Sequence, residues 1–120
     1  MDSKFYVSYE AARLLKEKGY DEECDCVIDD DGDIFEHQYQ MNQDLPEWKC
    51  SCPTKAEAID WLESKGILIA TSFTYNRKWF CTIKSLVRDE MVSTLDLPTR
   101  LEAEEAAIIK ALKLLNGKEE

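Results

Sequence analysis

The chain has 120 residues, 44% of them hydrophobic, and a net charge of −10. That is enough for one domain burying roughly two-thirds of its unfolded surface, and no apolar run reaches membrane-spanning length. Residues 21–47 hold eleven Asp or Glu and no Lys or Arg, whereas the rest of the chain is close to neutral; an excess of negative charge disfavours direct binding of nucleic acid or of an anionic membrane.

The first twenty residues, MDSKFYVSYEAARLLKEKGY, are charged and then amphipathic, which is not the pattern of a secretion signal. A cytosolic setting is expected. The five Cys residues are then expected to be free thiols.

Ser8 is placed to cap a first helix over 9–18, with Ala11, Leu14 and Leu15 inward and Gly19 as its stop. Tyr20 stands where a residue after a helix cap folds back on the last turn. A hairpin follows over 24–39, read from the Asp31-Gly32 pair as a two-residue turn. That register sets Ile28 opposite Phe35, Cys26 opposite His37 and Cys24 opposite Tyr39. It leaves Asp25, Asp29 and Glu36 on an outer acidic face, with Asp31 at the turn. Residues 41–46 read as loop, and Trp48, Cys50 and Cys52 alternate as in a short extra strand.

Thr54 and Glu57 form a capping box for a second helix over 55–65 that Gly66 ends. The period then changes to two. Strands over 67–75 and 79–86 are joined by Asn76-Arg77-Lys78, with Tyr75 facing Trp79, Phe73 facing Cys81 and Thr71 facing Ile83. Residues 87–98 are long for a bare connection and leave room for a short hidden element. Pro98-Thr99-Arg100-Leu101-Glu102 repeats the capping signal and opens a third helix over 100–115.

The order α-ββ-α-ββ-α predicts one α+β domain spanning 1–120, a two-layer fold with an antiparallel sheet of two hairpins and helices on one face. The expected core is Leu14, Leu15, Ile28, Phe35, Ile59, Leu62, Ile69, Phe73, Ile83, Ile108 and Leu112. The two helix-plus-hairpin halves suggest a duplication, although no residue-level repeat supports it.

The segments SYEAARLLKEKGY, PTKAEAIDWL, WFCTI and EAEEAAIIKALKLL resemble a family of small uncharacterised proteins from prophages and mobile elements of Bacteroides-type gut bacteria. The likeness runs from Ser8 to Leu115 and rests on caps, a Trp-Leu pair and Ala-rich helices. It implies a bacterial or phage-derived cytosolic setting and no activity, ligand or catalytic residue.

Candidate chemistry is sparse. Cys24, Cys26, His37, Cys50 and Cys52 supply zinc-type ligands, but the spacing is C-x-C rather than the C-x₂-C knuckle that wraps a metal. Alternate thiols on a strand equally suit small buried side chains. A thiol nucleophile assisted by His37 needs a depressed pKa, for which Cys52, just before the second helix, is the best placed. Asp29, Asp31 and Asp33 imitate the opening of a calcium loop, yet Ile34 and Gln40 stand where that loop needs Gly and Glu. No cofactor is expected. Two functions remain. One is a non-enzymatic module that binds a basic protein surface through Asp25, Asp29, Asp31 and Glu36. The other is a metal- or thiol-dependent enzyme built on the Cys/His set.

Overall fold

A computed structural model of the chain describes residues 3–36, 38–74, 76–86 and 89–117. The fold is α+β. Helix α1 (Tyr9–Glu17) precedes strands β1 (Val27–Asp29), β2 (Ile34–Phe35) and β3 (Lys49–Ser51). Helix α2 (Lys55–Ser64) precedes β4 (Ile67–Phe73), β5 (Trp79–Ser85) and β6 (Glu90–Ser93), and α3 (Arg100–Gly117) follows. The two expected hairpins do not join into one sheet. Each acquires a third strand, giving antiparallel sheets ordered β2-β1-β3 and β4-β5-β6.

The helix ends follow the local chemistry. Ser8 Oγ accepts from the Ala11 N–H at 3.2 Å. Thr54 and Glu57 complete their reciprocal box, with Glu57 N–H donating to Thr54 Oγ1 at 3.1 Å and Thr54 N–H donating to Glu57 Oε1 at 2.9 Å. Gly19 and Gly66 take φ of 90° and 88° after α1 and α2, values that a side chain disfavours. Tyr20 does fold back: its N–H donates to Leu15 O at 2.9 Å, and its buried ring meets Trp61 edge-on at 5.4 Å.

Helix α3 lies at the centre, against α1, α2, β4 and β5. Its Ala103, Ala107 and Ala111 are fully buried, one turn apart, so its backbone can approach those neighbours closely. Ile108 and Leu112 fill the space between. The β1–β3 sheet packs on α1, and the β4–β6 sheet on α2 and α3. A buried lysine ties the layers together. Lys55 Nζ donates to Tyr6 O at 2.9 Å and to Lys4 O, and lies 3.9 Å from Glu105 of α3. Glu105 also accepts from the Ser8 N–H at 3.3 Å.

Both hairpin registers differ from the sequence expectation. In the second, Phe73 pairs with Trp79, Thr71 with Cys81 and Ile69 with Ile83. The turn closes between Thr74 and Lys78, where Thr74 N–H bonds Lys78 O at 2.7 Å and Arg77 takes φ of 67°. The strands shift by two residues relative to each other, which preserves the faces, so Ile67, Cys81 and Ile83 stay buried. The expected partner Tyr75 lies outside the described residues.

In the first hairpin, Ile28 pairs with Ile34 and Val27 with Phe35. This is a one-residue slip, so Ile34 takes the inward position expected for Phe35, which is 41% exposed. Phe73, also expected in the core, is 55% exposed: it ends β4 and packs on Trp79 at 4.7 Å between ring centroids. Ile59 and Ile69 are half-buried, and the other expected core residues are buried.

Candidate functional site

The acidic segment folds around one carboxylate. Asp29, at the end of β1, turns its Oδ1 to accept from the N–H groups of Asp31 at 3.0 Å and Asp33 at 2.9 Å. The backbone closes the same turn: Gly32 N–H donates to Asp29 O at 2.9 Å and Asp29 N–H to Asp33 O at 3.0 Å. The loop is therefore Asp30-Asp31-Gly32, a three-residue connection with Gly32 at φ 86°. The expected two-residue turn fails because the Asp29 side chain supplies an acceptor that favours the longer loop.

Asp29 is thus not on the outer acidic face: it is 7% exposed and engaged by the turn. Asp25, Asp31 and Glu36 are exposed, as are Asp30 and Asp33. Ten of the eleven carboxylates in 21–47 are exposed. Among the described residues none of the eleven forms an ion pair; the pairs are Arg13 with Glu17, Lys55 with Glu105 and Lys84 with Asp89. The side-chain oxygens of Asp29, Asp30 and Asp31 can lie within 4.8 Å of one another, which concentrates negative potential at the tip. The turn accounts for that grouping, and the calcium-loop pattern still lacks its Gly and Glu.

The ladder breaks beyond Phe35. Cys24 bridges Gln40, so the return side carries two more residues than the β1 side between that bridge and the Val27–Phe35 pair. Asp25 O accepts from Gln38 N–H at 2.8 Å, and Tyr39 takes φ of 49°. The following residues run beside β3, where Ser51 Oγ donates to Gln40 O at 3.2 Å. Buried Asn42 pins them: its Nδ2 donates to Tyr20 O at 2.9 Å and its Oδ1 accepts from Ser51 N–H at 2.8 Å. Reading 41–46 as plain loop missed this clamp; an Asn inside a polar stretch gives no periodic signal.

Aromatic rings border the acidic surface. Trp48 is half exposed, and Lys49 Nζ lies 4.9 Å from its ring centroid and 5.3 Å from that of Phe35. A cleft of about 600 Å³ opens beside them, between Tyr9, Arg13, Glu17 and Trp48. Lys16 on its wall is occupied, donating to Pro46 O and Lys49 O at 2.8 Å each.

The thiols behave differently from the carboxylates. Cys24, Cys26, Cys50, Cys52 and Cys81 are all free and buried. β1 pairs with β3, and Cys52 N–H donates to Cys26 O at 2.9 Å. Yet the sulfurs have separate partners: Cys24 Sγ lies 3.7 Å from Tyr20 Oη, and Cys52 donates to Val7 O at 3.4 Å. Among the described residues no three ligand atoms that include a thiol converge. Burial pushes the Cys24 thiol up to about 11 and Cys52 up to about 12, and it raises Cys26, Cys50 and Cys81. Lys16 and Arg13 only partly offset the effect at Cys50. A thiol held neutral is a poor nucleophile. His37 lies outside the described residues.

No helix among the described residues is long and apolar enough to cross a membrane. No family model, curated protein or solved structure matches this chain, and those comparisons give no link to the mobile-element proteins expected from its sequence.

Proposed function

We propose that the protein is a non-enzymatic interaction module that binds a basic protein surface through the acidic hairpin and its flanking loops. One observation carries the reading: ten exposed carboxylates lie in one segment and, among the described residues, none is offset by an ion pair. Like charges on adjacent strands and in one turn repel. A Lys- or Arg-rich partner relieves that repulsion and gains from electrostatic steering. The half-exposed Trp48 and the exposed Phe35 and Tyr39 add the aromatic contacts that interfaces favour. Asp25, Asp31 and Glu36 are the contact residues in this reading, whereas Asp29 serves by holding the turn. The proposed setting is a reducing bacterial or phage-derived cytosol, in keeping with five free thiols.

The test uses a fluorescently labelled oligo-arginine peptide as probe, read by anisotropy over a salt series. The parent chain is expected to bind with an affinity that falls as salt rises. Changing Asp25→Asn, Asp31→Asn and Glu36→Gln together should weaken binding about tenfold or more, on the order of 1.4 kcal/mol. The exposed residues Asp60, Glu63 and Asp96 provide a control with the same loss of charge. If that control set weakens binding equally, net charge alone attracts the peptide and the hairpin is not a site.

A further inference from the structure

Strand β4 ends its sheet: the order is β4-β5-β6, so one long side of Ile67–Phe73 has no neighbouring strand. The phase of the ladder fixes which backbone groups face that side. Leu86 N–H donates to Gly66 O at 2.8 Å, and Thr74 N–H to Lys78 O at 2.7 Å. In the same register Leu68 pairs with Lys84, Ala70 with Thr82 and Ser72 with Phe80. Hydrogen-bonded pairs alternate along an antiparallel ladder, so these even-numbered residues direct their N–H and C=O to β5. Ile67, Ile69, Thr71 and Phe73 direct theirs outward. Among the described residues, those outward groups meet no hydrogen-bond partner.

An open edge of this length is ordinarily blunted by Lys, by Pro, by a bulge or by a covering loop. β4 reads Ile-Leu-Ile-Ala-Thr-Ser-Phe, with no charge and no Pro. Its pairing with β5 runs through all seven residues without a bulge.

We propose that this edge pairs antiparallel with the same edge of a second copy of the chain, giving a two-fold dimer with one continuous six-stranded sheet. The strand is complementary to itself. With Ala70 on the axis, Ile69 stands opposite Thr71 of the partner subunit, Ile67 opposite Phe73 of the partner subunit, and Leu68 opposite Ser72 of the partner subunit. Every pair joins branched, aromatic or small side chains, and no like charges meet. The outward N–H and C=O groups find partners in register. Phe73 and Leu68, exposed at 55% and 37%, gain neighbours.

The charge distribution favours the same occupant. The carboxylates that would repel a second copy are concentrated in 21–47, in and around the other sheet, which packs on α1 while the β4–β6 sheet packs on α2 and α3. A charged strand from elsewhere finds no opposite charge at this edge, whereas this strand matches it in length and polarity. The contact uses the same patch on both copies and therefore closes. The far edge, β6, has only four residues and begins with Glu90, which discourages further growth.

Light scattering coupled to size-exclusion chromatography of the full chain tests this. The parent is expected to run at twice the mass of one chain. Thr71→Pro removes an outward N–H that the ladder with β5 does not use, a position where an edge strand tolerates Pro. Ala70→Lys places two like charges on the axis, and its side chain lies on the exposed face of the sheet. Both variants are expected at the mass of one chain with an unchanged far-ultraviolet circular dichroism spectrum. If Thr71→Pro does not fold, Ala70→Lys decides alone. A parent that runs at single-chain mass at every concentration overturns the proposal, as does an Ala70→Lys variant that dimerises like the parent.

Discussion

Asp29 and its acidic neighbours look alike in the sequence and do different work in the fold. The Asp29 carboxylate accepts from two part-buried backbone N–H groups while 7% exposed, so removing it takes away the side-chain acceptor that closes the turn. Asp29→Ala should cost ~1–3 kcal/mol in urea unfolding, whereas exposed Asp25→Asn should stay within about 0.5 kcal/mol. Equal effects would mean that Asp29 does not organise the turn. The thiols give a prediction with a definite sign. Cys24 and Cys52 are raised from the ordinary value of 9.0 to about 11 and about 12. A folded-state pKa above the unfolded one contributes stability that is complete below pH 9.0 and is lost as pH rises through the folded value. Stability should therefore fall between about pH 9 and pH 12, and replacing Cys24 and Cys52 with Ala should flatten that decline. Thiol titration should find all five Cys reactive only after denaturation; fast reaction in the folded protein would contradict their burial.

The helices were legible because their ends are written in local chemistry. Ser8, Thr54 with Glu57, Gly19 and Gly66 act within one turn of chain, and each helix lies within two residues of its expected span. The hairpins were legible as elements but not in register, since register depends on turn geometry. At 29–33 a side-chain acceptor decides it, and at 74–78 a left-handed Arg77 with the Thr74 hydroxyl does; neither residue type announces such a role. Phe35 and Phe73 misled for a related reason, because size and apolarity do not say how far along a strand the covering layer reaches. The buried Ala103, Ala107 and Ala111 stripe is absent from the expected core, as alanine carries little hydrophobic signal. It matters for α3, whose Leu112 is fully buried. Leu112→Ala should cost ~2–5 kcal/mol, measured by chemical denaturation. A loss below about 1 kcal/mol would show that α3 is not docked as described.

At the scale of the whole molecule, the apparent duplication dissolves. Both halves run helix then three strands, yet the central strand is β1, the first of its three, in one sheet and β5, the second of its three, in the other. The halves also differ in chemistry. One sheet and its loops hold the eleven carboxylates of 21–47 and four of the five thiols, while the other presents an uncharged open edge. The sequence made the charge imbalance plain and could not divide its carboxylates into surface and scaffold. The proposed function rests on that division, with Asp25, Asp31 and Glu36 exposed to a partner and Asp29 holding the turn from within. Nuclear magnetic resonance tests it most directly, by titrating isotope-labelled protein with oligo-arginine and following backbone amide shifts at low salt. The account predicts perturbations concentrated at residues 25–36 and at Trp48 and Lys49. Shifts scattered evenly over exposed acidic residues, or centred on the acidic positions of α2 and α3, would contradict it.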